Sequence, residues 1–410
     1  MQKLLFLFTA EYPYGKGETF LETEIDYLAS SFEQIILVVT ENVEGKEMRG
    51  ILDNCQVKAL DLSVSNFDKV KAIKFQFSSI YKEEKKIIEE IYSKPFTKGI
   101  RNTMLLSLFK GERVKNYISN LKNLDYSTTV FYSYWCNDAA LGLALSSAAN
   151  NGINAISRIH GWDVYFEASA IDYLPYRHFI SKHLRGIYAI SEDGVNYTKN
   201  TWKLPNDSNV KLSRLGVKKQ ELKSSKSPIR VVSCSNLIKL KRVDLLIEAL
   251  GLITDLEIQW THFGDGIEMH VIKSLADELP ANISVELIGR VANQEVLDWY
   301  RKYSPTLFVN VSSTEGVPVS IMEAISFGIP VLATNVGGNG EIVNEKNGCL
   351  IDRNSTSEAL SKKLHELLSM SEEEMDSLRN GALSMWNDHY SANTNYVEFV
   401  ALLKNRDSTS

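Results

Sequence analysis

Short apolar runs and amphipathic stretches alternate along almost the whole chain, which predicts strands that are each followed by a helix. In the first half, the runs predicted to be strands are 4–9, 34–40, 57–60, 129–134, 153–159, 187–190 and 211–217. In the second half they are 229–235, 256–263, 283–288, 307–311, 329–333 and 349–351. Apolar positions at helical spacing predict helices at 20–29, 138–149, 243–250, 319–327 and 357–369. This alternation predicts an α/β protein with two doubly wound parallel sheets.

A polar stretch without periodicity, 218–228, interrupts the pattern and predicts a linker between two domains. The first domain is then 1–217 and the second is 229–385. The remaining segment, 386–410, has an amphipathic pattern that predicts one more helix followed by a tail. A chain of 410 residues is long enough for this division.

The most informative stretch is 305–343, PTLFVNVSSTEGVPVSIMEAISFGIPVLATNVGGNGEIV, which predicts a strand, a turn, a helix and a second strand. Glu315 follows the first strand at the sheet edge where α/β proteins bind ligands, and Glu323 lies just inside the helix. The free backbone N–H groups near 317–320, at the start of the predicted helix, carry partial positive charge and favour the binding of an anion. Carboxylates accept hydrogen bonds from sugar or ribose hydroxyls. One turn is therefore predicted to hold a phosphate and hydroxyls together, as in a sugar nucleotide.

Glu315 and Glu323 are separated by seven residues within EGVPVSIMEAISFGIPVLAT, and this phrase resembles the E-x7-E signature of retaining glycosyltransferases of family 4. The resemblance implies the GT-B fold, in which two Rossmann-like domains face a cleft and a closing helix returns to the first domain. It also implies a nucleotide-sugar donor in the second domain, an acceptor in the first, and neither a metal ion nor a cofactor.

In the family's terms Glu323 would hold ribose hydroxyls, Glu315 would hold sugar hydroxyls beside the anomeric carbon, and Lys241 would bind phosphate. Asn236 stands where the family usually has an arginine, which leaves one phosphate charge uncompensated unless Arg242, Lys239 or the helix N-terminus replaces it. The predicted donor-binding residues are Gly15, Gly17, Asn236, Lys241, Arg290, Pro318, Val319, Ser320 and Glu323.

His160 follows a predicted strand in IHGWD, and it resembles the family's histidine that faces the donor sugar and phosphate. The predicted catalytic residues are therefore His160 and Glu315. Asp163 is predicted either to orient His160 or to contact the acceptor. The turn EYPYGKGETF follows the first strand but matches neither G-x-G-x-x-G nor the P-loop. The predicted acceptor-binding residues are Glu18, Thr19 and Asp163.

The charge distribution along the chain is uneven. The formal net charge is −6, which gives no general argument for nucleic-acid binding. Residues 67–122, however, hold thirteen Lys or Arg and six Asp or Glu, interleaved with aromatic residues. Two amphipathic helices with solvated lysine faces explain this pattern. The alternative is a face that rests on anionic lipid.

We therefore expect a transferase that moves a hexose-type sugar to a hydroxyl of a glycan acceptor, with a lipid-linked glycan of surface polysaccharide synthesis favoured. A UDP-sugar is favoured as donor by family frequency, and GDP-mannose stays open. A nucleotide-sugar epimerase and a degenerate sugar-nucleotide-binding protein are the alternatives. Four scattered cysteines and the lack of a ~20-residue apolar run favour a cytoplasmic protein. The basic stretch at 67–122 leaves peripheral contact with the inner face of the cell membrane open as an alternative.

Overall fold

The computed structural model describes residues 3–204, 208–221 and 228–405. The chain divides into two compact units, residues 1–215 together with 396–410, and residues 216–395. Of the predicted linker, residues 222–227 lie outside the described part of the chain. Within that part, no helix is long and apolar enough to cross a bilayer.

The first unit is an α/β unit in which strands and helices alternate. Its strands and α-helices are β1 Leu4–Thr9, α1 Leu21–Ala29, β2 Gln34–Val39, β3 Cys55–Ala59, α2 Asn66–Ala72, α3 Ser79–Lys86, α4 Lys98–Ser119, β4 Thr129–Ser133, α5 Asp138–Ala149, β5 Asn154–Ile159, α6 Arg177–His183, β6 Gly186–Ala189, α7 Glu192–Asn200 and β7 Val210–Leu212. Short 3-10 helices lie at Ile73–Phe77 and Phe166–Ala168, and a π-helix lies at Ile87–Ile91.

All seven strands of this unit are parallel, in the order β3-β2-β1-β4-β5-β6-β7. The central strands are buried along their whole length because helices cover both faces, which is why they read as continuous apolar runs. The strand order reverses between β1 and β4. Loops that leave neighbouring strands in opposite directions open a crevice at such a point, and ligands bind there in open α/β sheets.

The basic stretch after β3 does not form the two amphipathic helices expected from its pattern. Three α-helices, a 3-10 helix and a π-helix occupy residues 66–119. Ser65, Ser78 and Thr97 each cap the N-terminus of a new helix by accepting a backbone hydrogen bond, and Ser65 does so in a capping box with Asp68. These caps divide the stretch, so the prediction of two helices is wrong.

The second unit repeats the alternation with a smaller sheet. Its strands and α-helices are β8 Ile229–Cys234, α8 Val243–Gly251, β9 Ile258–Phe263, α9 Met269–Ala276, β10 Ile283–Gly289, α10 Asn293–Tyr303, β11 Leu307–Asn310, α11 Val319–Ser326, β12 Val331–Thr334, α12 Asn339–Ile342, β13 Gly348–Ile351, α13 Ser357–Leu368 and α14 Glu372–Met385. The six strands are parallel, in the order β10-β9-β8-β11-β12-β13. Here the order reverses between β8 and β11.

The last helix, α15 Ala392–Lys404, carries the chain into the first unit, which it joins from residue 396. Phe399 is fully buried there, between the rings of Tyr132 and Tyr188 and under the guanidinium of Arg158. Arg158 is itself buried and pairs with the carboxylate of Glu24. The predicted closing helix that returns to the first domain is thus confirmed. The three-residue β7 is shorter than the strand predicted at 211–217.

Candidate active site

In the second unit, the loops after β8 and β11 bring a lysine and a carboxylate together at the point of strand reversal. Lys241 Nζ donates a hydrogen bond to Glu315 Oε1 over 2.6 Å. The side chain of Glu315 is 9% exposed and that of Lys241 22%, so this ion pair is largely withdrawn from water. Because screening is weak there, both charges act strongly on any group placed beside them.

Two further donors fix the carboxylate of Glu315. Asn310 Nδ2 lies 3.1 Å and Ser312 Oγ 2.6 Å from the same atom, Oε1. Within the described residues, therefore, three side chains donate to Oε1 and none donates to Oε2. A carboxylate oxygen that is left with acceptor capacity suits the hydroxyl of a ligand.

The backbone of the Glu315 turn is held by a second loop. Gly337 has a φ of +48°, and a Cβ at this position would lie 1.9 Å from the carbonyl oxygen of Glu315. Gly338 N donates to the carbonyl of Gly316 over 2.7 Å. The predicted glycine turn therefore serves as a close-packed support for the carboxylate, and only glycine fits at its first position.

Helix α11 begins directly after this turn. Pro318 is its extended N-cap residue, and no side-chain hydrogen bond caps the helix. Val319 and Ser320, the first two helical residues, are half-buried. The first N–H groups of a helix lack intrahelical acceptors and carry partial positive charge. The predicted anion-binding end of the helix is thus adjacent to Glu315 in the chain.

Glu323 lies one turn into α11 and is 8% exposed. Burial raises its pKa to about 7, an effect that the hydrogen bond donated by Asn293 Nδ2 over 2.7 Å reduces. Near neutral pH the carboxyl therefore exchanges between its two protonation states. A buried carboxyl with one protein donor is ready to accept further hydrogen bonds from a ligand, and those bonds would favour its charged form.

Asn236 and Arg290, from the loops after β8 and β10, contact each other. Arg290 Nη2 donates to Asn236 Oδ1 over 2.9 Å, and both residues are exposed. Arg242, in contrast, donates to the backbone carbonyls of Val311 and Arg353. The cation that contacts Asn236 is thus Arg290, which was not among the replacements expected for the missing charge.

In the first unit, the glycine turn after β1 is tied together by a carboxylate. Glu18 accepts hydrogen bonds from the backbone N–H groups of Ala10, Glu11 and Tyr12 over 2.6–2.9 Å. Gly15 has a φ of +62°, and a Cβ on Gly17 would lie 2.2 Å from Glu11 Oε1. In the structure, Glu18 therefore fixes the conformation of the loop. Its contact with an acceptor, and that of the exposed neighbouring Thr19, stay predictions.

The His160 turn lies next to this loop because β1, β4 and β5 are neighbours in the sheet. Trp135, after β4, donates its indole N–H to Glu18 Oε1 over 2.8 Å, and its ring centroid lies 4.5 Å from that of His160. His160 is 6% exposed, and neither ring nitrogen has a hydrogen-bond partner among the described residues. Buried polar groups without a hydrogen-bond partner are rare, so His160 is a candidate for contact with a polar ligand.

Asp163 orders the His160 turn through the backbone. Its carboxylate accepts from the N–H groups of His160, Gly161 and Cys136 over 2.8–3.0 Å, and Oδ2 lies 3.9 Å from His160 Nδ1. Burial would raise the pKa of Asp163, but His160 and these backbone hydrogen bonds outweigh burial and lower the pKa. The geometry thus supports the prediction that Asp163 orients His160. Its fully buried side chain leaves no surface for acceptor contact in this structure.

Several residues of the site are absent from the sequence-based prediction. Asn310, Ser312 and Asn293 hold the two glutamates, and Trp135 links the glycine turn to His160. Asn310 and Ser312 had a signal, since they lie at the end of the buried strand that leads to Glu315. Trp135 becomes recognisable only when the strand order is known. Among the described residues, no group of three His, Cys, Asp or Glu side chains forms a metal site.

Comparison with known proteins identifies the second unit. Residues 217–384 match the family model described as glycosyl transferases group 1. An uncharacterized glycosyltransferase of Methanocaldococcus jannaschii is 37% identical over 139 residues, which are 32% of this chain and 36% of that protein. WcaL of Escherichia coli, named as a candidate colanic acid biosynthesis glycosyltransferase, is 26% identical over 38% of this chain and 41% of its own. The chain thus spans about two fifths of the length of these curated relatives.

Solved structures extend the similarity to both units. HepE of Anabaena, crystallised with UDP and glucose, aligns with a TM-score of 0.66 at 14% identity, over 98% of this chain and 99% of its own. At this identity the alignment shows the fold alone. The predicted GT-B fold class is thereby confirmed, and so is the resemblance to this glycosyltransferase family within the second unit.

Proposed function

We propose that the protein is a retaining, metal-independent glycosyltransferase, a proposal supported by the match of residues 217–384 to the glycosyl transferases group 1 model. It moves a hexose-type sugar from a nucleotide sugar to a hydroxyl of a glycan acceptor. The observation that carries this proposal is the withdrawn Lys241–Glu315 pair at the strand reversal of the second unit, beside the start of α11. A cation, a carboxylate and free helical N–H groups together match the phosphates and hydroxyls of one ligand.

The proposed donor is a UDP-sugar held by the second unit. Glu323 accepts hydrogen bonds from the ribose hydroxyls, and Glu315 uses Oε2 to accept from hydroxyls of the transferred sugar. The phosphates bind Lys241 and the N–H groups of Val319 and Ser320. The UDP found in the HepE crystal structures supports the choice of base, and GDP-mannose is the alternative.

Arg290 is proposed to supply the positive charge that Asn236 lacks. The amide oxygen of Asn236 holds the guanidinium by one donor, which leaves other N–H groups of Arg290 for a phosphate oxygen. Arg290→Ala is then expected to weaken UDP binding, and a second change, Asn236→Arg, to restore it in that background. Failure of Asn236→Arg to restore binding would place the missing charge elsewhere.

The proposed reaction breaks the bond between the anomeric carbon and the β-phosphate oxygen while the acceptor hydroxyl attacks from the same face. The departing phosphate oxygen takes the proton of that hydroxyl, so the products are the glycoside and a nucleoside diphosphate. Lys241 and the start of α11 stabilise the charge that develops on the phosphate. Glu315 stabilises the positive charge that develops on the sugar ring.

The acceptor is proposed to be a lipid-linked glycan of surface polysaccharide synthesis, reached by a protein that rests on the inner face of the cell membrane. The name of the colanic acid relative supports the pathway class. The surface of the first unit supports the membrane contact. Phe67, Val70 and Phe77, on α2 and the following 3-10 helix, are 67%, 63% and 72% exposed, with lysines 69, 71 and 74 among them. Exposed rings beside lysines suit an anionic lipid surface.

A thermal-shift panel of UDP, UDP-sugars and GDP-mannose tests the donor site. A ligand at 100 times its Kd should add about 2.7 kcal/mol of stability. We expect a rise in Tm with UDP and one UDP-sugar that is lost in Glu323→Gln and kept in the exposed control Glu286→Gln. Absence of a shift with every nucleotide would overturn the proposal. Binding without transfer to any acceptor would favour a degenerate binding protein, and donor isomerisation without acceptor an epimerase.

Flotation with liposomes tests the membrane contact. Wild-type protein is expected to float with vesicles that contain phosphatidylglycerol but not with pure phosphatidylcholine vesicles. The double change Phe67→Ser with Phe77→Ser should abolish flotation, while Ile267→Ser, at an 84% exposed residue of the second unit, should not. Equal flotation of wild type and the double variant would show that α2 and the following 3-10 helix do not contact the membrane.

A further inference from the structure

We propose that Trp135 and Trp162 form an aromatic platform on which a pyranose ring of the acceptor stacks. This inference rests on the proposed function, because it assumes that the first unit receives the acceptor. Trp135 follows β4 and Trp162 follows β5, so both indoles lie at the edge of the sheet that carries the glycine turn and His160.

The two indoles stack on each other, and Trp162 is the more exposed of the two. Their ring centroids are 5.1 Å apart and their planes differ by 33°. Trp162 is 49% exposed, although it is one of the largest apolar side chains and lies beside a nearly buried histidine. An exposed indole at the ligand edge of a parallel sheet contributes little to the core. It offers a flat face to a ligand instead.

Trp135 is held rigidly, which makes the surface ready for binding. Its indole N–H donates to Glu18 Oε1 over 2.8 Å, and its backbone carbonyl accepts from Ser133 Oγ over 2.6 Å. The ring of Tyr134 meets it edge to face, with centroids 5.4 Å apart. A ring fixed on several sides loses little entropy when a ligand stacks on it.

The chemistry around the platform favours a sugar ring. One face of a pyranose carries only C–H groups, which pack against an aromatic face, while its hydroxyls point outward to polar partners. His160 lies against Trp135, and its two ring nitrogens make no hydrogen bond within the described residues. The exposed indole face of Trp162 thus matches the apolar face of such a ring. Gluco-type β-pyranosides, whose hydroxyls are equatorial, fit this description best.

Intrinsic fluorescence provides a test that does not require turnover, since two of the six tryptophans form the platform. The probes are methyl β-glucopyranoside and methyl N-acetyl-β-glucosaminide, with sorbitol as a polyol that has no ring. We expect saturable quenching of the wild-type protein by at least one glycoside and none by sorbitol. Trp162→Ala should raise the Kd at least tenfold. Trp162→Tyr keeps an aromatic face, so its Kd should stay within about threefold of the wild-type value. The control Trp299→Phe removes a tryptophan of the second unit and should leave the Kd unchanged.

Each outcome decides the inference. Lack of saturable quenching by either glycoside, or equal Kd values for wild type and Trp162→Ala, would overturn the platform. Equal weakening by Trp162→Ala and Trp162→Tyr would also overturn it, since stacking would then not be the cause. The proposed donor chemistry fails separately, through the UDP thermal shift of the second unit. Quenching without a UDP shift would leave a sugar-binding surface and remove the transferase proposal.

Discussion

Replacing Glu323 by Gln should stabilise the second unit while it removes nucleotide-sugar binding. The carboxyl is 8% exposed and receives one protein hydrogen bond, from Asn293. A glutamine has nearly the same shape and can accept that bond, but it never ionises. The change therefore removes the cost of a buried charge without creating a cavity.

The magnitude follows from the pKa of the Glu323 carboxyl, which burial raises from the ordinary 4.5 to about 7. The folded protein binds this proton more tightly than the unfolded chain. Stability is therefore highest below pH 4.5, falls as the pH rises to 7, and stays low above. At about 1.36 kcal/mol per pKa unit, the raised pKa lowers the free energy of unfolding by about 3 kcal/mol at pH 8 and by about 1 kcal/mol at pH 5, relative to a side chain that never ionises. Glu323→Gln should recover these amounts.

Urea denaturation of wild type and Glu323→Gln at pH 8 and pH 5 measures the difference. Comparing the variant with wild type at each pH cancels the contribution of Glu84, another buried carboxyl whose pKa burial raises to about 7. The exposed control Glu286→Gln should change the free energy of unfolding by less than about 0.5 kcal/mol at either pH. Equal stabilisation by Glu323→Gln at both pH values, or destabilisation at pH 8, would refute the reasoning.

Three further changes test other parts of the structure. Lys241→Met strands a nearly buried carboxylate and should weaken UDP-sugar binding roughly 10- to 100-fold by calorimetry, whereas Lys239→Met, at an exposed neighbour, should not; equal affinities would contradict this role. Gly337→Ala should lower the free energy of unfolding by more than about 1 kcal/mol, and therefore lower Tm, because φ is +48° and the new Cβ would lie 1.9 Å from a carbonyl oxygen. An unchanged Tm would contradict the strain. Phe399→Ala should cost about 3–5 kcal/mol in urea denaturation and Val397→Ala, at a 54% exposed residue, less than about 0.5; similar costs would contradict the packing of α15.

The central strands of both sheets, such as β4, β5, β11 and β12, were predictable because they are buried on both faces and therefore appear as apolar runs. The predicted helix at 138–149 coincides with α5, since an Asn cap precedes it and apolar residues fill it on all sides. Segmentation of residues 66–119 was not predictable from periodicity. Local caps at Ser65, Ser78 and Thr97 decide it, and the apolar pattern does not report them.

The site was predictable as a set of motifs but not as a set of contacts. The sequence places Glu315 and Glu323 around a turn, yet it does not reveal that Lys241, Asn310 and Ser312 converge on one carboxylate oxygen. Convergence depends on β8 and β11 being neighbours, and strand order is a property of the whole sheet.

Asn236 illustrates why a departure from a family pattern has to be judged in three dimensions. In the sequence, Asn236 replaces the family's usual arginine and so removes a positive charge. In the sheet, β10 and β8 flank β9, so the loops after them reach the same edge and Arg290 meets Asn236 over 2.9 Å. An asparagine oxygen accepts from a guanidinium, whereas an arginine at the same position would repel it. Asn236 and Arg290 are therefore best regarded as a pair, in which the asparagine positions a cation supplied by another loop.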